Sequence, residues 1–291
     1  MILVTTAGKV GAATAAHLAE RGEQVRLIVR DPSRHHELAA VGIELVRGDL
    51  GDADTVRHAV HGISGIVLVT SPERSQEMTV IDRARAEGVG HVTKITTEAS
   101  ADSPIARRRD HYAIEQHLEK SELPYTLLRA NAYMQNFLML APGIAKASEF
   151  ASPTGNGRIG MIDVRDVAAA AAAVAMAPSD GAGSVYRLSG PVALSYDDAA
   201  SILTSVLHRP VRHRAITIEQ QEAALVAVGV PPSRAHANAT ALGLFAEGDS
   251  DWVTGETEKL TGQASRTFEQ FVTDHAERFR LPPHGIQKAT Q

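Results

Sequence analysis

Along most of the chain, short apolar runs bounded by glycine, proline or charged residues alternate with longer segments in which apolar positions recur every three or four residues. The first pattern marks strands buried on both faces and the second marks amphipathic helices. Residues 2–5, 24–29, 43–46, 65–70, 91–95 and 125–128 are predicted strands, and 10–21, 53–61, 75–87 and 106–121 are predicted helices between most of them. This alternation predicts an α/β fold, a doubly wound parallel sheet with right-handed crossovers and helices on both faces. After Arg129 the rhythm loosens through Pro142-Gly143 and the Gly- and Pro-containing stretch 152–157, both predicted as loops. Strands at 159–162, 185–188 and 211–215 are then expected, with helices beginning near Asp163 and over 196–207, 218–228, 233–245 and 268–279.

The first strand carries the first chemical signal. Ile2-Leu3-Val4 runs into Thr5-Thr6-Ala7-Gly8-Lys9-Val10-Gly11 and then a helix of small residues. Gly8 lets backbone approach a diphosphate, Gly11 lets the helix pack closely on the strand, and the helix start offers free N–H groups to an anion. The fingerprint is shortened, since threonines and alanine stand where a first glycine would shape the turn. An ordinary crossover uses the same two glycines for packing alone. Arg30 ends the second strand, where a carboxylate would bind the adenosine ribose of NAD(H) and an arginine suits the 2′-phosphate of NADP(H). NADP(H) is therefore the favoured cofactor, and Asp31 next to Arg30 keeps NAD(H) open.

Composition narrows the classes. The 291 residues are long enough for a large core or two domains, and their net charge of −5 is a poor match for an electrostatic nucleic-acid binder. No cysteine is present, which removes disulfides, thiolate metal sites and cysteine nucleophiles. The thirteen histidines include His35-His36, His58 with His61, and His208 with His213, none in a familiar ligand spacing, so no metal is expected. Neither a hydrolase nucleophile elbow nor a P-loop occurs. The absence of a basic leader or long apolar segment makes a cytoplasmic protein without a membrane the expectation, and a homodimer is left open.

An ordered set of motifs identifies the chain as similar to the NmrA-like members of the atypical short-chain dehydrogenase/reductase superfamily. The set is Gly8-x-x-Gly11, Val29-Arg30-Asp31-Pro32, Gly48-Asp49-Leu50, His111-x-x-x-Glu115, Tyr125 to Asn131 with Met134-Gln135-Asn136, Asp163 to Ala168, and Leu188-Ser189-Gly190-Pro191. The resemblance implies a Rossmann-type NAD(P)-binding domain and a small, partly helical C-terminal substrate lobe, placed here at 1–150 and 151–291, with the stretch near 159–190 returning to the first. It also implies relatives that reduce quinones or other aromatic substrates beside non-catalytic redox sensors. Cofactor contacts are expected from Thr6, Gly8, Lys9, Val10, Gly11, Arg30, Asp49, Leu50, Thr70, Ser71, Pro72 and Lys94.

The reacting end is less defined. Carbonyl-reducing relatives often carry Tyr-x-x-x-Lys, but Tyr112 is followed at that spacing by Gln116, and a neutral amide cannot stabilise phenolate. A quinone or related aromatic polyketide-like carbonyl asks less of the protein, because hydride addition gives a stabilised anion. Catalytic candidates are His111, Tyr112 and Thr96, with His111 expected to exchange protons near neutrality and Glu115 to orient or charge it. Asn131, Tyr133, Met134 and Gln135 combine amide, aromatic and thioether groups suited to a flat aromatic substrate. The expected function is an NAD(P)H-dependent oxidoreductase for a xenobiotic quinone or an aromatic natural-product intermediate. Alternatives are a redox sensor or an accessory enzyme in aromatic hydroxylation or isomerisation.

Overall fold

The computed structural model describes residues 1–70, 73–177 and 183–280. In chain order its strands are β1 (Ile2–Val4), β2 (Val25–Val29), β3 (Glu44–Arg47), β4 (Gly65–Leu68), β5 (His91–Thr96), β6 (Tyr125–Ala130), β7 (Glu149–Ser152), β8 (Ser184–Leu188) and β9 (Arg212–Ala215). The helices are α1 (Lys9–Glu20), α2 (His36–Ala40), α3 (Ala53–Val60), α4 (Arg74–Ala86), α5 (Ala106–Lys120), α6 (Phe137–Ala147), α7 (Val164–Met176), α8 (Tyr196–Leu207), α9 (Ile218–Ala227), α10 (Pro232–Ala246), α11 (Glu256–Thr261) and α12 (Phe268–Asp274). The chain divides into two compact units: residues 1–131, 164–189 and 254–265, and residues 132–163, 190–253 and 266–291. The first cut thus falls at 131 rather than 150, and the segment returning to the first unit starts at α7 and is joined by α11.

In the first unit seven parallel strands lie in the order β3-β2-β1-β4-β5-β6-β8. Burial follows position in that order. β1, β4 and β5 are buried at every residue, whereas β3 and β8 at the edges are mostly not. Central strands therefore need apolar side chains on both faces, which is why the sequence showed runs instead of alternation. Val56, Val80, Ile81, Ile114 and Leu118 from α3, α4 and α5 close one face of the sheet over Ile66, Leu68, Val92 and Leu127. At the β8 edge, Thr254 donates to the Arg187 carbonyl and Glu256 accepts the Arg187 N–H, so this edge is hydrogen-bonded within its own unit.

The second unit is built around aromatic side chains. Phe137 lies 4.8 Å from Phe268 and 4.9 Å from Tyr196 between ring centroids, and Phe150, Phe271 and Phe279 join the cluster. The 159–162 segment is not a strand: Ile159 and Ile162 each form a single bridge, with Leu194 and Tyr133, so neither ladder extends. The predicted strand near 211 pairs in parallel with β7, placing Phe150 opposite His213. His213 accepts or donates at both ring nitrogens, 2.8 Å from Ser152 Oγ and 3.0 Å from Asp197. That Ser–His–Asp series is a tether between β7, β9 and α8, because Ser152 is buried and also hydrogen-bonds Thr154.

Candidate cofactor site

At the exit of β1 the turn is shaped by hydroxyls in place of the missing first glycine. Thr5 and Thr6 both donate to the Val69 carbonyl, at 2.9 and 2.8 Å, and Thr5 Oγ accepts from the Val69 N–H. The β1 and β4 exits are thereby locked together at the point where strand order reverses, the position of the ligand crevice in an open parallel sheet. A Cβ on Gly11 would lie 1.9 Å from the Thr6 carbonyl oxygen, so the helix packs at a distance only glycine permits. Gly8 differs. Its φ of −67° suits any residue, and a Cβ there would meet only Thr6 Oγ at 3.9 Å. Its lack of a side chain leaves open space before the start of α1, whose first turn holds no acidic residue and no side-chain cap. Unbonded N–H groups, the positive end of a helix and open backbone fit a diphosphate.

On the β2–β3 side Arg30 is 86% exposed, and its Nε donates to Asp49 at 2.9 Å. Asp49 also accepts from the Gly51 N–H, which fixes the carboxylate after β3. Asp31 caps the turn that follows β2: its Oδ1 accepts from Ser33 Oγ at 2.6 Å and from the Ser33 N–H at 3.1 Å. Those two bonds, with Arg34 and Arg47 nearby, hold the Asp31 carboxyl below its ordinary pKa. Leu50 is buried in the core between sheet and helices, and Val10 is likewise buried, while Lys9 is exposed.

The β4–β6 side is a buried polar network. Lys94 and Glu77 are both 0% exposed, with Nζ 2.6 Å from Glu77 Oε2 and donating to the Ile95 carbonyl. Thr70 donates to the other Glu77 oxygen. Lys94 is therefore turned into the protein, neutralised by a glutamate absent from the sequence-based candidates. Thr96 donates to Glu115 at 2.7 Å, and Arg129 reaches the same carboxylate at 2.5 Å. The ladder continues through Glu98, which lies 3.6 Å from Arg129 and 2.8 Å from Arg187. Ser71 and Pro72 lie outside the described residues.

His111 faces inward on α5 beside Ile114, Glu115 and Leu118, and its Nδ1 is buried without a hydrogen-bond partner. Burial, then the charges of Lys94 and Arg107, push its pKa down to about 2. The expected exchange near neutrality is thus corrected: Glu115 is committed to Thr96 and Arg129, so it does not charge the imidazole. Tyr112, one residue on, projects about 100° away around the helix, is exposed, and has no lysine partner; Gln116 turns to Glu119.

Asn131 ends the first unit, buried, while Tyr133, Met134 and Gln135 open the second. Met134 is 1% exposed and belongs to the aromatic core, and Gln135 donates to Asp163 at 2.9 Å. Both are accounted for by packing and internal bonding; Tyr133 is half-buried. The missed residues are Glu77, Glu98 and Arg187. One signal for Glu77 was available, because a lysine inside a strand buried on both faces demands a carboxylate from the covering helix. Among the described residues no three histidine, aspartate or glutamate side chains converge as a metal site, and no helix is long and apolar enough to cross a membrane.

A doubly wound parallel sheet with a bare helix start at its switch point defines a Rossmann-type nucleotide-binding protein. Residues 1–272 match the NmrA-like family, and the chain belongs to that family. It is 32% identical over 286 residues to the NAD(P)H azoreductase of Xenophilus azovorans, covering 96% of this chain and 99% of that protein. It is 34% identical over 285 residues to the (4-alkanoyl-5-oxo-2,5-dihydrofuran-3-yl)methyl phosphate reductase of Streptomyces griseus, again covering 96% and 99%. The NADPH-dependent quinone oxidoreductase of Escherichia coli, solved with NADPH, superposes with a TM-score of 0.85 at 30% identity, over 95% of this chain and 100% of that one.

Proposed function

We propose that this chain is an NADPH-dependent reductase that delivers hydride to a quinone or a related conjugated aromatic carbonyl. The observation that carries the reading is the β1–Gly8–α1 cradle, open and free of acidic side chains, with Arg30 at the adjacent strand end. When bound, NADPH supplies a hydride from C4 of its nicotinamide. The N-terminal N–H groups of α1 hold the diphosphate, Gly8 lets it approach, and Arg30 takes the 2′-phosphate. Among the described residues, the candidates at the β4–β6 edge supply no strong acid: Thr96 keeps its proton in a hydrogen bond to Glu115, His111 stays neutral, and Tyr112 lacks an activating lysine. An acceptor such as a quinone matches that edge. It gains two electrons and one hydrogen as hydride, forms a stabilised hydroquinone anion, and takes its proton from water. The names of the relatives, an azoreductase and a quinone oxidoreductase, support conjugated acceptors as the substrate class.

The test mixes the purified chain with NADPH or NADH and a panel of quinones. Loss of reduced-cofactor absorbance and transfer of deuterium from C4-labelled cofactor to product are expected, faster with NADPH. Tight cofactor binding with no hydride loss across the panel would instead assign the chain to the redox sensors.

A further inference from the structure

Two threonines at neighbouring strand ends are held in the same way. Thr70, after β4, donates to Glu77 of α4, which faces Lys94 of β5. Thr96, ending β5, donates to Glu115 of α5, which faces Arg129 of β6. One βαβ step repeats the other: a strand-end hydroxyl, a buried helix carboxylate, and a cation on the next strand. A hydroxyl has a single proton, and an ionised carboxylate only accepts. With the carboxylate held by a cation, buried Lys94 in one copy and half-buried Arg129 in the other, the threonine oxygen meets every other neighbour as an acceptor. Thr96 is 4% exposed and is the internal copy, whereas Thr70 is half-buried.

In this strand order each half of the sheet serves one nucleotide, and an adenosine half on the Arg30 side leaves the β4–β6 edge for the nicotinamide half. Ribose hydroxyls donate or accept and are indifferent to a fixed acceptor. The carboxamide nitrogen only donates. We infer that Thr70, polarised by the Glu77–Lys94 pair, accepts an N–H of the nicotinamide carboxamide, and that Glu77 is a positioning residue selecting ligands with a donor there. This rests on the reading that the chain binds NADP(H).

Calorimetry of the full chain with NADP⁺ and with its 3-acetylpyridine analogue, in which a methyl ketone replaces the carboxamide, tests the assignment without turnover. The wild type should bind NADP⁺ about three- to tenfold more tightly, the range for one neutral hydrogen bond. Thr70→Ser should keep that ratio and Thr70→Val should bring it to about one. In Glu77→Gln the Lys94 ammonium draws the amide oxygen to itself and turns the NH₂ toward Thr70. The hydroxyl proton is then free to point at the ligand, and the ratio should fall below the wild-type value. Should Glu77→Gln fail to fold, the two Thr70 variants decide alone. Equal binding of both nucleotides by the wild type, or an unchanged ratio in Thr70→Val, overturns the inference while leaving the proposed function standing. Binding of neither nucleotide overturns both.

Discussion

At Arg30, cofactor choice turns on which of two adjacent side chains is free. Arg30 spends only Nε on Asp49, which leaves both Nη groups for a 2′-phosphate in a planar fork suited to it. Asp31 has one oxygen occupied twice by Ser33 as the cap of a turn. The carboxylate that kept NAD(H) open in the sequence thus has a structural job, a fact hidden until the turn is seen. Arg30→Glu is expected to weaken NADPH at least about tenfold while changing NADH far less, since a charge-assisted bond is lost only with the phosphate. Titrations of both cofactors measure it, and an equal loss for the two would remove the 2′-phosphate assignment. Met134 and Gln135 show the reverse case. Their composition suited an aromatic ligand, yet one fills a core and the other bonds Asp163; residue type alone does not tell a binding surface from an interior.

At the scale of elements, the two glycines of the first turn separate folding from binding. Gly11→Ala drives a Cβ to 1.9 Å from a backbone oxygen, so β1 and α1 must move apart. A cost of about 1–3 kcal/mol, the usual range for overpacking, is expected together with weaker cofactor binding. Gly8→Ala meets open space and an ordinary φ, so its melting temperature should stay near wild type while affinity falls. Thermal melts paired with cofactor titrations check both; a Gly8→Ala variant with wild-type affinity would show that no ligand approaches that backbone. β1 and β4 were legible because burial on both faces leaves unbroken apolar runs. α6 was not, because Pro142 and Gly143 read as a break, whereas the helix absorbs the proline and buries Phe137, Ala141 and Ile144. β7 was hidden by its lack of an apolar run: only Phe150 and Ser152 are buried there.

For the whole molecule, the doubly wound order was readable from alternation, but the discontinuous make-up of each unit was not, since which segments share a core is a long-range property. Another such property is the response of stability to acid. His111 is neutral in the folded chain down to about pH 2, and burial also lowers the pKa of His91. In the unfolded chain both return to about 6.5. Above that pH neither state holds the proton and the histidines contribute no pH dependence. Below it the unfolded chain takes protons that the folded chain refuses, so stability falls with falling pH, approaching about 1.4 kcal/mol per pH unit for each histidine until its folded pKa is reached. Urea midpoints measured from pH 7 to pH 5 should therefore decline. His111→Leu, similar in size and unable to titrate, should flatten the decline by about one histidine's share, because every other group cancels in the comparison. An identical slope in the variant would mean that the folded protein accepts the proton at His111, and the neutral imidazole of the proposed mechanism would have to be abandoned.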